Sequence, residues 1–147
     1  MTSNQERATT LERALRAGIG GDPDTLQAVF TDDVRAWTPA LSTSSRDELI
    51  AELDHRDDAF TDVELDVVPL DVGGDFACVE WSVNMTHSGT ITLDERTIAP
   101  TGIRVALHGV TVAEFHGERI CSLRQYWDEF AVLEQLGLMA GAPASGE

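Results

Sequence analysis

A chain of 147 residues has room for one domain with a real core, and nothing in its composition marks a second. Its formal charge of −16, carried against ten arginines and no lysine, repels phosphate backbones and anionic membrane surfaces, so neither nucleic acid nor a membrane is an expected partner. No apolar run approaches the ~20 residues of a membrane span, the start MTSNQERATTLERALRAG lacks the basic and apolar segments of a signal peptide, and a cytoplasmic protein is expected.

Leu11, Leu15 and Ile19 recur at helical spacing and predict a first helix with that stripe inward, ended at Gly20-Gly21. Asp22 followed by Pro23 reads as the N-cap and first turn of a short second helix, whose inward face is Leu26, Val29 and Phe30. The run VRAWTP then predicts a brief strand with Trp37 as its large side chain, closed by Pro39, which cannot donate a ladder hydrogen bond. Ser45 and Glu48 have capping-box spacing, and Leu49, Ile50 and Leu53 extend a third helix to about Asp57. His55 and Arg56, near its end, complement the helix dipole rather than carry chemistry.

From Thr61 the period changes to two, with Val63, Leu65 and Val67 opposed to Asp62, Glu64 and Asp66, as far as Gly73-Gly74. The run FACVEWSVNMTH repeats the pattern, and a sheet with one apolar face is expected. The segment SGTITLDERTIA has a charged centre, LDER, that is either a hairpin tip or a mobile flap. Two alternating runs then meet at His116-Gly117: Val105, Leu107, Thr111, Ala113 and Phe115 share one parity before the turn, and Cys121, Leu123, Gln125 and Trp127 share one after it. EFAVLEQLGL reads as a closing helix, the domain is expected to span 1–140, and the tail GAPASGE (141–147) is expected to be disordered. Cys78 and Cys121 have no partner motif and read as reduced, small buried hydrophobes.

On this pattern Val79, Trp81, Val83, Met85, Leu107, Phe115, Leu123 and Trp127 face the helices, and the polar residues sharing their parity are His87, Thr111 and Gln125. Trp37, Trp81 and Trp127 either stack on a flat polycyclic ligand or are plain core. His87 is the best titratable candidate for acid–base work; its alternative is a hydrogen bond to the backbone beside Gly89. Asp128 either brings a carboxylate to the pocket mouth, its pKa raised by apolar neighbours, or caps the closing helix. Glu64, Glu80, His108, Arg124 and Tyr126 fall on the opposite face, where ion pairing or a dimer surface is expected. The Arg124/Asp128 pair is a faint signal for an epoxide hydrolase-like site. A β-bulge would exchange the faces beyond it. The four histidines are scattered, so no metal is expected, and no Gly-x-Ser-x-Gly elbow is present.

Three helices, a strongly bent antiparallel or mixed sheet and a short C-terminal helix make an α+β cone, the helices covering the concave face. With GDPDTLQAVFTDDVRAW, THSG (86–89), PTG (100–102), YWD (126–128) and QLGL (135–138), nearly the whole chain resembles the SnoaL-like polyketide cyclases of the nuclear-transport-factor-2-like superfamily, to which ketosteroid isomerases and limonene epoxide hydrolases also belong. The resemblance implies a cofactor-free, often dimeric protein with a deep apolar pocket. There a hydrophobic polyketide-like carbonyl compound undergoes intramolecular aldol chemistry, with a carboxyl moving a proton and pocket groups stabilising an enolate. Ungapped alignment on PTG and QLG puts Gln125 where the cyclases carry their acid–base aspartate and Thr111 where they carry a histidine. Either a shift of a few residues brings Asp128 into the role, or the chain is not a cyclase of that type. The expected catalytic set is His87, Asp128 and Gln125, with Gln125 donating to an oxyanion. The expected ligand contacts are Trp37, Trp81, Met85, Leu107, Thr111, Phe115 and Trp127. A noncatalytic binding or dimerisation module of the same fold is the competing expectation.

Overall fold

The computed structural model describes residues 4–39, 41–54, 59–93 and 96–137. His55, Arg56, the centre of the LDER segment and the tail 141–147 lie outside the described residues.

Helix α1 (Asn4–Gly20) stops where Gly21 turns back at φ 69°. Its buried stripe is Ala8, Leu11, Ala14 and Ala17; of the expected line Leu11 is buried, Leu15 packs half-buried against the core and Ile19 is 42 % exposed. Small alanines let the helix lie close on the sheet, which rotates the stripe away from the larger residues. Arg7 fastens its start by donating from Nη1 to the Gly74 carbonyl at 2.7 Å. Asp22 caps α2 (Pro23–Val29) as expected, with Oδ1 accepting from the Thr25 N–H. Strand β1 (Phe30–Trp37) begins at once, four residues earlier than VRAWTP suggested, and pairs with a short β2 (Ser42–Thr43). Helix α3 (Arg46–Asp54) follows, but its capping box is split: Ser45 accepts from the Glu48 N–H while the Glu48 carboxylate reaches back to the Ser44 N–H.

The long strands are β3 (Phe60–Leu70), β4 (Phe76–His87), β7 (Arg104–His116) and β8 (Arg119–Trp127). Between them β5 (Ile91–Leu93) pairs antiparallel with β6 (Arg96–Ile98), the two strands that flank the centre of the LDER segment. The six-stranded sheet runs β2-β1-β8-β7-β4-β3 and is mixed, because β1 lies parallel to β8 while its other pairs are antiparallel. The core lies between the helices and the concave face and includes Leu11, Val29, Phe30, Val79, Val105 and Ile120. Helix α4 (Glu129–Gln135) closes the chain, burying Val132.

The feared bulge is present but harmless to the assigned faces. Glu114 pairs with Ser122 and Phe115 with Ile120, leaving Cys121 as the extra residue. Ile120 therefore takes the buried place that parity assigned to Cys121, while Leu123, Gln125 and Trp127 keep theirs. Both cysteines are free and half-buried, and burial pushes both thiols up from their ordinary pKa.

Candidate functional site

The floor of the concave face is built by register. Trp81 of β4, Gly109 of β7 and Trp127 of β8 are partners across three adjacent strands. A Cβ at Gly109 would overlap the Trp81 indole, so the absence of a side chain there lets the ring lie flat on β7. The Trp81 Nε1–H donates to Thr111 Oγ1 at 2.9 Å, and the Trp127 ring meets Trp81 edge-on at 6.2 Å. One step along, the fully buried Thr111 is the cross-strand partner of the half-buried Gln125. Leu107 and Phe115 complete the buried floor, and Met85 packs at its margin.

His87 ends β4 and is fully buried. Its Nδ1 is held by Thr101, from the N–H at 3.2 Å and beside the hydroxyl at 2.9 Å, and the Phe60 ring lies 5.6 Å away. The His87 ring therefore bonds the backbone of Thr101 and not the backbone beside Gly89, whose N–H goes to the Ala59 carbonyl. His87 Nε2 is buried with no partner among the described residues. Leaving such a group unpaired costs about 1–3 kcal/mol.

The other candidates do not join it. The Asp128 carboxylate is exposed and accepts from the Phe130 and Ala131 N–H groups at 3.0 and 3.3 Å, so it is the cap of α4. Its electrons are directed into the helix end rather than toward the floor. Thr111 and Gln125 lie level with Val79, eight residues from His87, or roughly 26 Å along the strand. Trp37 is 43 % exposed and pairs with Arg124, which puts it on the outer face beside Tyr126 at 5.3 Å. Inward places on β1 belong to Val34 and Ala36, so the alternation itself moves Trp37 out. The outer face of β1 and β8 carries an open depression of about 420 Å³ lined by residues such as Arg35, Trp37, Thr43 and Arg124, with no apolar enclosure around it. Arg124 and Asp128 are therefore at the surface, and among the described residues no carboxylates and arginine converge inside.

The sequence profile of the SnoaL-like domain matches residues 11–123, most of the chain. The chain belongs to the SnoaL-like family. No curated protein matches the sequence. Among solved structures, TsrD from Streptomyces laurentii is 19 % identical, with a TM-score of 0.77 over 95 % of this chain and 100 % of that one. IdmH from Streptomyces antibioticus, a candidate polyketide cyclase, is 20 % identical, with a TM-score of 0.74 over 89 % of this chain and 98 % of that one. An LEH-like epoxide hydrolase of Mycobacterium tuberculosis is 18 % identical, with a TM-score of 0.67 over 90 % of each chain. At these identities the likeness is one of fold.

For a SnoaL-like chain the interior chemistry is sparse. Every described aspartate and glutamate with an assigned exposure lies at the surface except Glu12, which is half-buried and bound to Arg16 at 2.9 Å. The buried polar side chains among the described residues are Thr38, His87 and Thr111, and no cluster of histidine, cysteine or carboxylate groups is gathered as a metal would require. With Thr111 engaged by Trp81, His87 is the one titratable group among those three. Three residues that shape the site were missed by parity: Thr101, Gly109 and Gln135. Thr101 and Gln135 sit inside the PTG and QLGL motifs, and Gly109 is the one empty place in the inward series 105, 107, 111, 113, 115 of β7, a gap that a partner's bulk had to fill.

Proposed function

We propose that this SnoaL-like protein acts, without a cofactor, on a hydrophobic carbonyl compound of polyketide type lying on the concave face, and that its reaction is a proton shift or ring closure through an enolate. The observation that supports it is His87, an enclosed imidazole with one nitrogen clamped and the other unpartnered. In the reaction a proton leaves the carbon beside the carbonyl for water, the electron pair moves onto the oxygen, and His87 meets that oxygen. The enolate carbon then attacks a second carbonyl, whose oxygen takes the proton back from that water to become a hydroxyl, or the carbon itself takes the proton back. The test is deuterium exchange into α-tetralone and cyclic enones in heavy water, followed by NMR. Exchange above the buffer rate is expected, falling about 100-fold or more in His87→Phe; exchange no faster than buffer for every compound overturns the reading.

The second reading is a noncatalytic ligand carrier, favoured by Asp128 serving as a helix cap and by an interior without a described carboxylate. That outcome is the one a negative exchange experiment selects, provided that the compound still binds.

We also infer that two copies pair through the outer face of the sheet. Arg35, Trp37, Arg124 and Tyr126 occupy its β1–β8 side, while Glu64, Asp66, Glu80 and Val68 occupy its β3–β4 side. A two-fold rotation about β7 lays the basic, aromatic half on the acidic half. Light scattering should give the mass of a dimer, and Tyr126→Glu should reduce it to one chain; a wild-type monomer at all concentrations overturns the pairing.

A further inference from the structure

The turn 100–102 folds back onto the end of β4 and holds His87 through both its backbone and its ring. The His87 N–H donates to the Ile103 carbonyl at 2.9 Å, and its own carbonyl accepts from the Gly102 N–H at 2.8 Å. Gly102 adopts φ 72°, a conformation glycine takes without strain, and this reversal sets Thr101 against the imidazole. The Thr101 N–H then lies 3.2 Å from Nδ1. A backbone N–H can only donate, so Nδ1 is an acceptor and carries no proton; in the neutral ring the proton is on Nε2. The Thr101 hydroxyl reinforces the arrangement, since its oxygen accepts from the Ile103 N–H at 3.2 Å and leaves its proton for Nδ1. The consequence is a buried Nε2–H with no acceptor among the described residues.

We propose that His87 is a tautomer-locked hydrogen-bond donor, presenting Nε2–H to an acceptor oxygen of the bound compound, and that Thr101 is the positioning residue that holds it in that state. The proposal rests on the function given above and narrows it. His87 polarises a carbonyl or holds an enolate oxygen, and it is not the base that takes the proton from carbon. The ligand class is accordingly an apolar ring compound with an acceptor oxygen that reaches the end of β4 beside Phe60.

Nitrogen NMR of labelled protein at neutral pH tests the first half without any substrate. An unprotonated Nδ1 and a protonated Nε2 are expected for His87, retained in Thr101→Val, whose backbone N–H still donates, and giving way to a mixture of tautomers in Thr101→Pro, which lacks that N–H. The second half uses two probes that share a carbon skeleton: α-tetralone, with its carbonyl, should move the Nε2–H resonance, and tetralin, without it, should not. His87→Gln, whose amide can place an N–H near Nε2, should bind α-tetralone within about threefold of wild type, whereas His87→Phe should lose about tenfold, or 1.4 kcal/mol. A proton on Nδ1, equal losses in the Gln and Phe variants, or indistinguishable responses to the two probes overturns the donor assignment. Absence of catalysed deuterium exchange alongside the expected tautomer and probe responses overturns the proposed reaction instead, and leaves the donor in place.

Discussion

Gly109 shows how a single missing side chain organises the concave face. It lets the Trp81 indole reach Thr111 across β7, and Trp127 then completes the platform from β8. Gly109→Ala should therefore destabilise the protein by about 1–3 kcal/mol in urea unfolding, the usual cost of overpacking. Gly73→Ala, at a loop site where an added Cβ meets nothing, should stay within about 0.5 kcal/mol. Equal effects at the two sites would remove the indole clash as the cause. At this scale legibility was uneven. Parity placed Trp81, Leu107, Thr111 and Phe115 inside because alternation is a property of the strand alone. It could not choose between the two readings of Asp128, because a carboxylate at a strand end suits a pocket mouth and a helix cap equally, and only the position of the Phe130 and Ala131 N–H groups decides.

Among the elements, α4 is held in an unexpected way. Strand β8 ends opposite Gly109, so the stretch of β7 before it loses its neighbour on that side. Gln135 fills the gap: its Oε1 accepts from the Ala106 N–H at 2.8 Å and its Nε2 donates to the Ala106 carbonyl at 2.7 Å, imitating one rung of a strand. Gln135→Ala should cost about 0.5–1.5 kcal/mol and speed exchange of the Ala106 amide selectively; unchanged protection at Ala106 would show that α4 docks by Val132 and Leu136 alone. The caps of the other short helices respond to acid in a defined direction. Hydrogen bonds from Thr25 hold the Asp22 carboxyl below its ordinary pKa, and those from Ser44 do the same for Glu48. Since both values are lowered by folding, the caps contribute above the ordinary carboxylate range and are lost as pH falls through the lowered values. Capping signals and hairpin periods were readable because they are local. The rotation of the α1 stripe onto Ala8, Ala14 and Ala17 was not, because the closeness of helix to sheet is set by what lies opposite.

For the molecule as a whole, the charge of −16 is spread over a surface that holds almost all of the described carboxylates, with four ion pairs among the described residues. Self-repulsion of this size opposes the compact state and is screened within about 10 Å at 0.1 M salt. Added sodium chloride should raise the unfolding midpoint, and a flat or falling response would exclude repulsion as a destabilising force. No described helix is long and apolar enough to cross a membrane. The order of helices and strands, the bent α+β architecture and the family were determined by the sequence itself, since hydrophobic period, glycine turns and caps act over a few residues and add up along the chain. Where the candidate side chains lie was decided only by the tertiary structure. What holds the His87 ring, whether Thr111 is engaged and whether Trp37 lies inside or on the outer face depend on Thr101, Trp81 and the pairing of β1 with β8, contacts between residues 14 to 87 positions apart that no local pattern records.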